Sequence, residues 1–166
     1  DNIKKNELII PKGEISNNYD IENNLRYFLL DQGFYEVINS PFVSSISGKS
    51  IKVDNPLDSN REYLRINIID SLLDNLIFNE RRQKDSIKLF EIADIYSSEN
   101  NKILKTRHLS IIASGRVGHN YEDFSKKINK KYLTGIFQEA LPGEIFDFKV
   151  ITRDPLHTKV KNEIIG

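Results

Sequence analysis

The chain has 166 residues, a length that fits one domain. Its formal net charge is zero, from 24 basic and 24 acidic side chains, and this balance argues against a domain that binds a nucleic-acid backbone by itself. It contains no Cys, which excludes disulfides, thiolate zinc sites and cysteine nucleophiles and suits a cytoplasmic protein. No stretch approaches the roughly 20 apolar residues of a membrane helix, and an N-terminus without Met or a signal-like apolar run leads us to expect a piece of a longer chain.

Residues 1–19 are polar and irregular, and we predict a linker from a preceding module, followed by a core domain over residues 20–166. A first helix is predicted from the N-cap Asp20 to Gly33, where a helix end favours a left-handed residue. Its apolar side chains recur at helical spacing: Ile21, Leu25, Phe28 and Leu29.

A short strand is predicted over residues 34–39, stopped by Pro41, and a Ser- and Gly-rich loop over 43–50. Ile51 and Val53 indicate another brief strand. A second helix is predicted over residues 64–82, with one apolar stripe formed by Ile69, Leu72, Leu73, Leu76 and Ile77.

The apolar period changes to two from Ser86. Residues 87–92 carry bulky side chains on both faces, which is typical of a central, buried strand. A turn over residues 97–101 and an antiparallel strand over 109–113 follow, and then a third helix over 121–141 with Gly135 inside it. Residues 145–150 indicate a last strand. Because these elements do not alternate as βαβ units, they predict an α+β fold, an antiparallel sheet flanked by helices.

Two stretches carry a family resemblance. Residues 25–43 resemble the first signature of class II aminoacyl-tRNA synthetases, a helix, a Gly-aromatic break, a strand and a proline, here Gly33, Phe34, Val37 and Pro41. Residues 53–96 are similar in order to the beta chain of bacterial-type phenylalanyl-tRNA synthetase. The matching motifs are Val53-Asp54-Asn55-Pro56-Leu57, Tyr63-Leu64-Arg65, Leu72-Leu73-Asp74-Asn75-Leu76 and Leu89-Phe90-Glu91-Ile92.

The resemblance covers residues 20–115 best. It implies a class II synthetase-like, non-catalytic core that assembles with an alpha subunit as α2β2. In that family the whole enzyme joins phenylalanine to tRNA with ATP and magnesium, and the alpha chain holds the active site. We therefore expect no cofactor or metal in this domain, and tRNA as a partner through the whole enzyme.

The resemblance also indicates the position at which a catalytic group of the family pattern is missing. Class II enzymes hold the ATP α-phosphate with an Arg of a Phe-Arg-x-Glu strand, because a bidentate guanidinium meets the charge that develops there. Aligning that pattern on Glu91 places Leu89 at the Arg position. Leucine offers neither charge nor donors, and we expect the Glu91 carboxylate to be paired within the core.

Other catalytic patterns are weak. Gly48-Lys49-Ser50 resembles the end of a phosphate-binding loop, but Val43 stands where that loop requires Gly. The three histidines are scattered without metal-ligand spacing: His108, His119 and His157. Arg81 and Arg82, at the predicted end of the second helix, favour its negative dipole end.

Two surfaces are candidate contact sites. The helix over residues 21–31 has a second apolar face, which either is buried within the domain or serves a partner. In the second case the predicted interface with the alpha subunit is Tyr27, Leu30, Phe34, Pro41 and Phe42. Four lysines on the predicted third helix are a possible tRNA contact or a solvated helix face: Lys126, Lys127, Lys130 and Lys131.

Two alternatives to a non-catalytic scaffold stay open. One is a catalytically active class II ligase domain, with its clamping residue elsewhere than position 89. The other is a general RNA-binding module, which the neutral charge and the lack of a strand-borne aromatic pair disfavour.

Overall fold

The computed structural model describes residues 17–44, 50–99, 102–140, 149–151 and 163–165. Its helices are α1 (Asn17–Asp31), α2 (Ile69–Glu80), α3 (Tyr121–Ser125) and α4 (Lys130–Ala140). Its strands are β1 (Tyr35–Glu36), β2 (Phe42–Val43), β3 (Tyr63–Leu64), β4 (Ser86–Glu99), β5 (Lys102–Gly115), β6 (Lys149–Ile151) and β7 (Glu163–Ile165). Within this part of the chain, no helix is long and apolar enough to cross a membrane.

A five-stranded sheet in the order β1-β4-β5-β7-β6 forms the centre, and β2 pairs with β3 separately. Every pairing is antiparallel except that of β1 with β4. The long pair β4–β5 runs from Ser86 opposite Gly115 to Glu99 opposite Lys102. The predicted α+β class is confirmed. Residues 97–99 of the predicted turn belong to β4, whose ladder with β5 extends to Glu99 opposite Lys102, and residues 100–101 lie outside the described residues.

Both faces of β4 are buried, as its apolar pattern predicts. Phe90 lies on one face, in a cluster built by α1, β5 and α4: Leu29, Phe34, Phe90, Ile111, Ala113, Ile128, Leu133, Ile136 and Phe137. Leu89 lies on the other face, in a cluster built mainly by α2: Ile68, Leu72, Leu76, Ile87, Leu89 and Ile112. The sheet is therefore a middle layer between helices, and its two faces serve the core.

Helix α1 begins at Asn17, before the predicted N-cap Asp20, so Asp20 lies in its first turn. The predicted C-terminal signal is confirmed, because Gly33 has a φ of 77°. The amide of Phe34 donates to Leu29 O (3.0 Å), and that of Gly33 to Leu30 O (2.9 Å). These bonds satisfy the last carbonyls and turn the chain into β1. Residues 1–16 of the predicted linker lie outside the described residues.

The predicted second helix starts too early. Tyr63–Leu64 is the strand β3, since the Leu64 amide donates to Ile51 O (2.9 Å) and the Arg65 amide to Pro41 O (2.8 Å). The helix proper runs over Ile69–Glu80, and the Asn67 side chain accepts from the Asp70 amide (3.1 Å) just before it. Long-range backbone bonds thus hold residues 63–65 extended, although their apolar spacing continues that of the helix.

The predicted third helix is two helices. Asn120 caps α3 by accepting from the Asp123 amide (2.7 Å), and Lys126 is extended. The Val117 amide donates to Lys126 O (3.0 Å), and the Ile128 amide donates to Gly115 O (3.0 Å). Pairing with the end of β5 therefore interrupts the helix between residues 126 and 129.

The shorter predicted strands are also corrected. Strand β1 has two residues rather than six, because the Asn39 amide bonds a Glu91 side chain instead of a ladder carbonyl. In place of a strand at Ile51 and Val53, an isolated bridge joins Lys52 to Tyr63. Of the last predicted strand, Lys149–Val150 belongs to β6, and residues 145–148 lie outside the described residues.

Replacing Gly135 with Ala should stabilise the chain. Gly135 lies inside α4, and a Cβ at this position would meet no atom within 4 Å. Alanine restricts the unfolded chain more than glycine does, so we expect the free energy of unfolding to rise by about 0.5–1 kcal/mol in urea denaturation. The matched control is Gly33→Ala, whose left-handed backbone should make the same change destabilising by about 1 kcal/mol. A loss of stability at position 135 would contradict this account of α4.

Candidate functional site

Leu89, which stands at the phosphate-clamp position of the class II pattern, is a core residue. Its side chain is 6% exposed and packs in the cluster under α2. Helix α2 covers this face of β4 with Leu72 and Leu76, both fully buried. This face of the sheet is filled at Leu89 by apolar side chains.

A guanidinium does reach this face, from the Tyr63-Leu64-Arg65 motif. Arg65 and Glu91 form an ion pair with 2.8 Å between Nη1 and Oε1, and their side chains are 4% and 2% exposed. The Nη1 group makes no aligned hydrogen bond, so the contact is a charge–charge contact at short range. The predicted pairing of the Glu91 carboxylate is confirmed.

Two asparagines extend the hydrogen bonding around Glu91, Asn39 directly and Asn75 through Asn39. The Asn39 amide donates to Oε1 (3.2 Å), and its side-chain Nδ2 donates to Oε2 (2.7 Å). Asn75 Nδ2, from α2, donates to Asn39 Oδ1 (2.8 Å). The buried polar cluster (Arg65, Glu91, Asn39 and Asn75) therefore joins four segments: the residue after β3, β4, the end of the β1 region and α2.

The Arg65 backbone has its own long-range bonds. Its amide donates to Pro41 O (2.8 Å), and its carbonyl accepts from the Tyr96 amide (3.1 Å). Arg65 Nε lies 3.4 Å from Asp94 O, a long hydrogen bond. These contacts fix the guanidinium within the core, where it meets a carboxylate and a carbonyl and is not directed at solvent.

A second, exposed ion network ties α1 to the sheet. Glu22 accepts from Arg107 Nη2 (2.6 Å) and Arg26 Nη2 (2.9 Å), and Arg26 Nε also donates to Glu36 (2.9 Å). Hydrogen bonding to Arg107, helped by Arg26 and opposed by burial, lowers the pKa of Glu22 to about 2. This carboxylate therefore stays ionised throughout the neutral range and holds α1 against β5 and β1.

The predicted interface residues are mostly on the surface, at the β1 edge of the sheet. Tyr27 is 69% exposed, Leu30 43% and Phe42 38%, and Pro41 is half-buried. Phe34 is 1% exposed and lies in the core cluster under α1, so its assignment to an exposed interface is wrong. The chain turns at Gly33, so the helical face that carries Tyr27 and Leu30 does not continue to Phe34.

Sequence reasoning missed two further exposed side chains at this edge. Tyr35 on β1 is 72% exposed and Ile38 is 94% exposed. Strand alternation could have identified Ile38, since its neighbour Val37 packs in the cluster under α2. Tyr35 has the same parity as Val37, so the alternating pattern predicts it buried and does not reveal its exposure. We define the β1-edge surface as Tyr27, Leu30, Tyr35, Ile38 and Phe42.

The four predicted lysines do not share one helix. Lys126 and Lys127 lie between α3 and α4, and Lys130 and Lys131 begin α4. Lys126 Nζ pairs with Glu122 (3.0 Å), which raises the pKa of this lysine. All four are exposed.

The remaining candidate residues do not converge. His108 lies on β5 and His119 follows it, while His157, Gly48 and Lys49 lie outside the described residues. Among the residues that the structure describes, no group of three His, Cys, Asp or Glu side chains is placed to hold a metal ion.

Comparison with known families gives one extended match. A family model described as "Phenylalanyl tRNA synthetase beta chain CLM domain" matches residues 7–159. The chain is 34% identical over 112 residues to the phenylalanine–tRNA ligase beta subunit of Mycoplasma mycoides, covering 62% of this chain and 14% of that protein. It is 30% identical over 122 residues to the corresponding subunit of Thermotoga maritima, covering 68% of this chain and 15% of that protein. The chain thus spans only a small part of these relatives.

A solved structure gives the fold comparison. PylSc, a pyrrolysyl tRNA synthetase of Desulfitobacterium hafniense, superposes with a TM-score of 0.56 at 18% sequence identity. The superposition covers 83% of this chain and 50% of that one. This likeness concerns the fold alone, and it confirms the predicted class II synthetase-like architecture.

Replacing one partner of the buried ion pair should destabilise the chain more than replacing both partners together. Arg65→Met leaves the Glu91 carboxylate buried without its countercharge, so we expect the free energy of unfolding to fall by about 3–5 kcal/mol in urea denaturation. Adding Glu91→Gln to this variant removes the uncompensated charge and should recover about half of the loss. The control Lys105→Met, which breaks an exposed pair with Asp94, should leave stability nearly unchanged. Additive losses at positions 65 and 91 would contradict a coupled pair.

Proposed function

The chain belongs to the family of phenylalanyl-tRNA synthetase beta chains, whose CLM domain it matches over residues 7–159, and from this premise we propose that it is a non-catalytic structural core. In this proposal it supports assembly with the alpha subunit that charges tRNA with phenylalanine. The assembly is α2β2, the alpha subunit holds the ATP and magnesium site, and tRNA is bound by the whole enzyme. The proposed location is the cytoplasm, where tRNA is charged.

The observation that carries the non-catalytic part is the occupation of the sheet face. Adenylate formation needs a positive group that is free to bind an α-phosphate as charge develops on it. Leu89 has no such group and is buried under α2. Because Arg65 is already paired with Glu91 inside the core, it is not available either.

The free energies involved argue against Arg65 leaving Glu91 to bind a nucleotide. Moving its guanidinium away would leave Glu91 buried and uncompensated, at a cost of about 3–5 kcal/mol. A charge-assisted hydrogen bond to a phosphate returns about 1.5–3 kcal/mol. The helix α2 would also have to leave the apolar cluster to open a cleft. A closed face is therefore the more stable arrangement.

The β1-edge surface supports the assembly part. It combines three aromatic and two aliphatic side chains on α1, β1 and the following segment. Aromatic residues are enriched in protein interfaces, and a large exposed apolar area on a soluble domain is best explained by a partner. Strand β1 is also an edge strand, with pairing to β4 on one side.

A nucleotide titration tests the non-catalytic part. We expect no heat of binding when ATP and magnesium are titrated into the full chain, because the clamp position is a buried leucine. The alpha subunit, titrated under the same conditions, is the positive control. Saturable ATP binding to this chain that Arg65→Met abolishes would identify an active ligase domain and overturn the proposal.

Co-elution with an alpha subunit tests the assembly part. The full chain should co-elute in size-exclusion chromatography with the phenylalanyl-tRNA synthetase alpha subunit encoded by the same genome. The variant Tyr27→Glu with Ile38→Glu places two charges on the β1-edge surface, and we expect at least about tenfold weaker association. Both side chains are exposed in the isolated chain, so the fold should tolerate the change.

The matched control is Tyr121→Glu, which changes a 96% exposed tyrosine on α3, beyond β4 and β5 from the β1 edge. It should co-elute as the unchanged chain does. Equal weakening by the control would remove the β1-edge surface from the proposal, and no co-elution of the unchanged chain would contradict the assembly role itself.

A further inference from the structure

Three segments that are distant in sequence meet where β4 begins and β5 ends. Ser86 pairs with Gly115, and the Arg116 amide donates to Asp85 O (2.6 Å), which joins the loop after α2 to the end of β5. The Arg116–Lys127 bridge then brings in the segment between α3 and α4. The N-terminus of α4 follows three residues later, at Lys130.

This convergence concentrates positive charge in a chain that is neutral overall. Residues 80–85 and 115–131 contain eight Lys or Arg and four Asp or Glu, a formal charge of +4, so the rest of the chain carries −4. We define the basic end as these eight cations: Arg81, Arg82, Lys84, Arg116, Lys126, Lys127, Lys130 and Lys131. The fold thus separates charges that the composition alone shows as balanced.

Most cations of the basic end lie on the surface. Seven are exposed and Arg116 is half-buried. Lys126 pairs with Glu122, but in the described part of the chain Arg81, Lys84, Lys127 and Lys131 form no ion pair with a carboxylate. A surface built for internal pairing would place acids beside these four side chains.

Two guanidinium groups at the basic end are held by aromatic rings. Arg82 lies 3.3 Å from the ring centroid of Phe78 and also donates to Phe78 O (3.0 Å). Arg116 lies 5.2 Å from the ring centroid of Phe124. Stacking limits the conformations of both side chains, which lowers the entropy cost of binding an anion.

Helix α4 adds a further positive contribution. Its first turn contains Lys130 and Lys131 and no acidic residue. A helix N-terminus carries the positive end of the macrodipole and favours acids, so two lysines there oppose the local preference. A negatively charged partner would relieve that opposition. The two lysines at this helix N-terminus add to the exposed cations on which the anion-binding role depends.

We propose that the basic end binds the phosphate backbone of a nucleic acid, and that in this protein the nucleic acid is tRNA. The phosphate chemistry follows from the spread of the cations over three segments, which matches a chain of phosphates better than a single anion. The choice of tRNA rests on the proposed function. The neutral total charge, which argued against RNA binding, does not describe this local surface.

Salt-dependent binding tests the proposal. The probe is a fluorescein-labelled, unmodified tRNA transcript, and its anisotropy is followed with the full chain at several KCl concentrations. The variant is Lys84→Gln with Lys127→Gln and Lys131→Gln, which changes the loop after α2, the segment between α3 and α4, and the first turn of α4. We expect at least about tenfold weaker binding near 0.1 M salt and a slope of log K against log salt that is smaller by about two to three.

The control removes the same charge from elsewhere. Lys52→Gln with Arg61→Gln and Lys102→Gln changes three exposed cations outside the basic end. Its affinity and slope should stay close to those of the unchanged chain. Equal losses in the two variants, an unchanged patch variant, or no salt-dependent binding by the unchanged chain would overturn the proposal.

A second probe and a second readout separate the sources of failure. A 20-base-pair duplex DNA should bind more weakly than the tRNA. Equal affinity would support a phosphate site but overturn its assignment to RNA. The patch variant should still co-elute with the alpha subunit and unfold at the same urea concentration, so a lost RNA affinity is not confused with failed assembly or misfolding.

Discussion

The buried ion pair between Arg65 and Glu91 is the contact on which the arrangement of this chain most depends. Each partner comes from a different part of the sequence, and both side chains are almost fully removed from water. Desolvating two charges is costly, so the pair is stable only with additional hydrogen bonds. Asn39 supplies two of them to the carboxylate, and Asn75 orients Asn39 from α2. The cluster therefore acts as one unit, and removing Arg65 or Glu91 alone leaves the other charge buried without its partner.

The same contact links the closed sheet face to the exposed β1 edge. When the Asn39 amide turns to Glu91, β1 stops pairing with β4 after Val37 donates to Phe90 O. Ile38, one residue before Asn39, is left 94% exposed. The Arg65 amide holds Pro41 O, which fixes the path of the chain into Phe42. This buried polar cluster thus positions the segment that carries the proposed interface.

Sequence patterns predict the parts of this fold that local residue spacing determines. They do not predict the parts whose conformation depends on backbone hydrogen bonds to distant segments. Strand β4, with apolar side chains on both faces, and the left-handed Gly33 are correctly predicted. Leu64, Ile68 and Leu72 recur every four residues, as do Phe124, Ile128 and Tyr132, yet only part of each series is helical. Backbone bonds to distant segments hold Leu64 in a strand and interrupt the helix at Ile128, and apolar spacing does not reveal this. For the site, a paired Glu91 was foreseeable from the cost of a buried charge, but the fold alone identifies Arg65 as its partner.

Burial of both sheet faces also determines where recognition takes place. Clusters under α2 and under α1 and α4 occupy the two faces, so the described part of the sheet offers partners its perimeter. That perimeter carries two chemically different surfaces. The β1 edge is apolar and aromatic, which suits a protein partner, and the basic end is cationic, which suits phosphates. Because the first belongs to α1 and β1 and the second to the loops at the start of β4 and the end of β5, substitutions in one leave the side chains of the other in place. The proposed roles in assembly and in phosphate binding therefore both lie at the borders of the sheet and leave its buried faces intact.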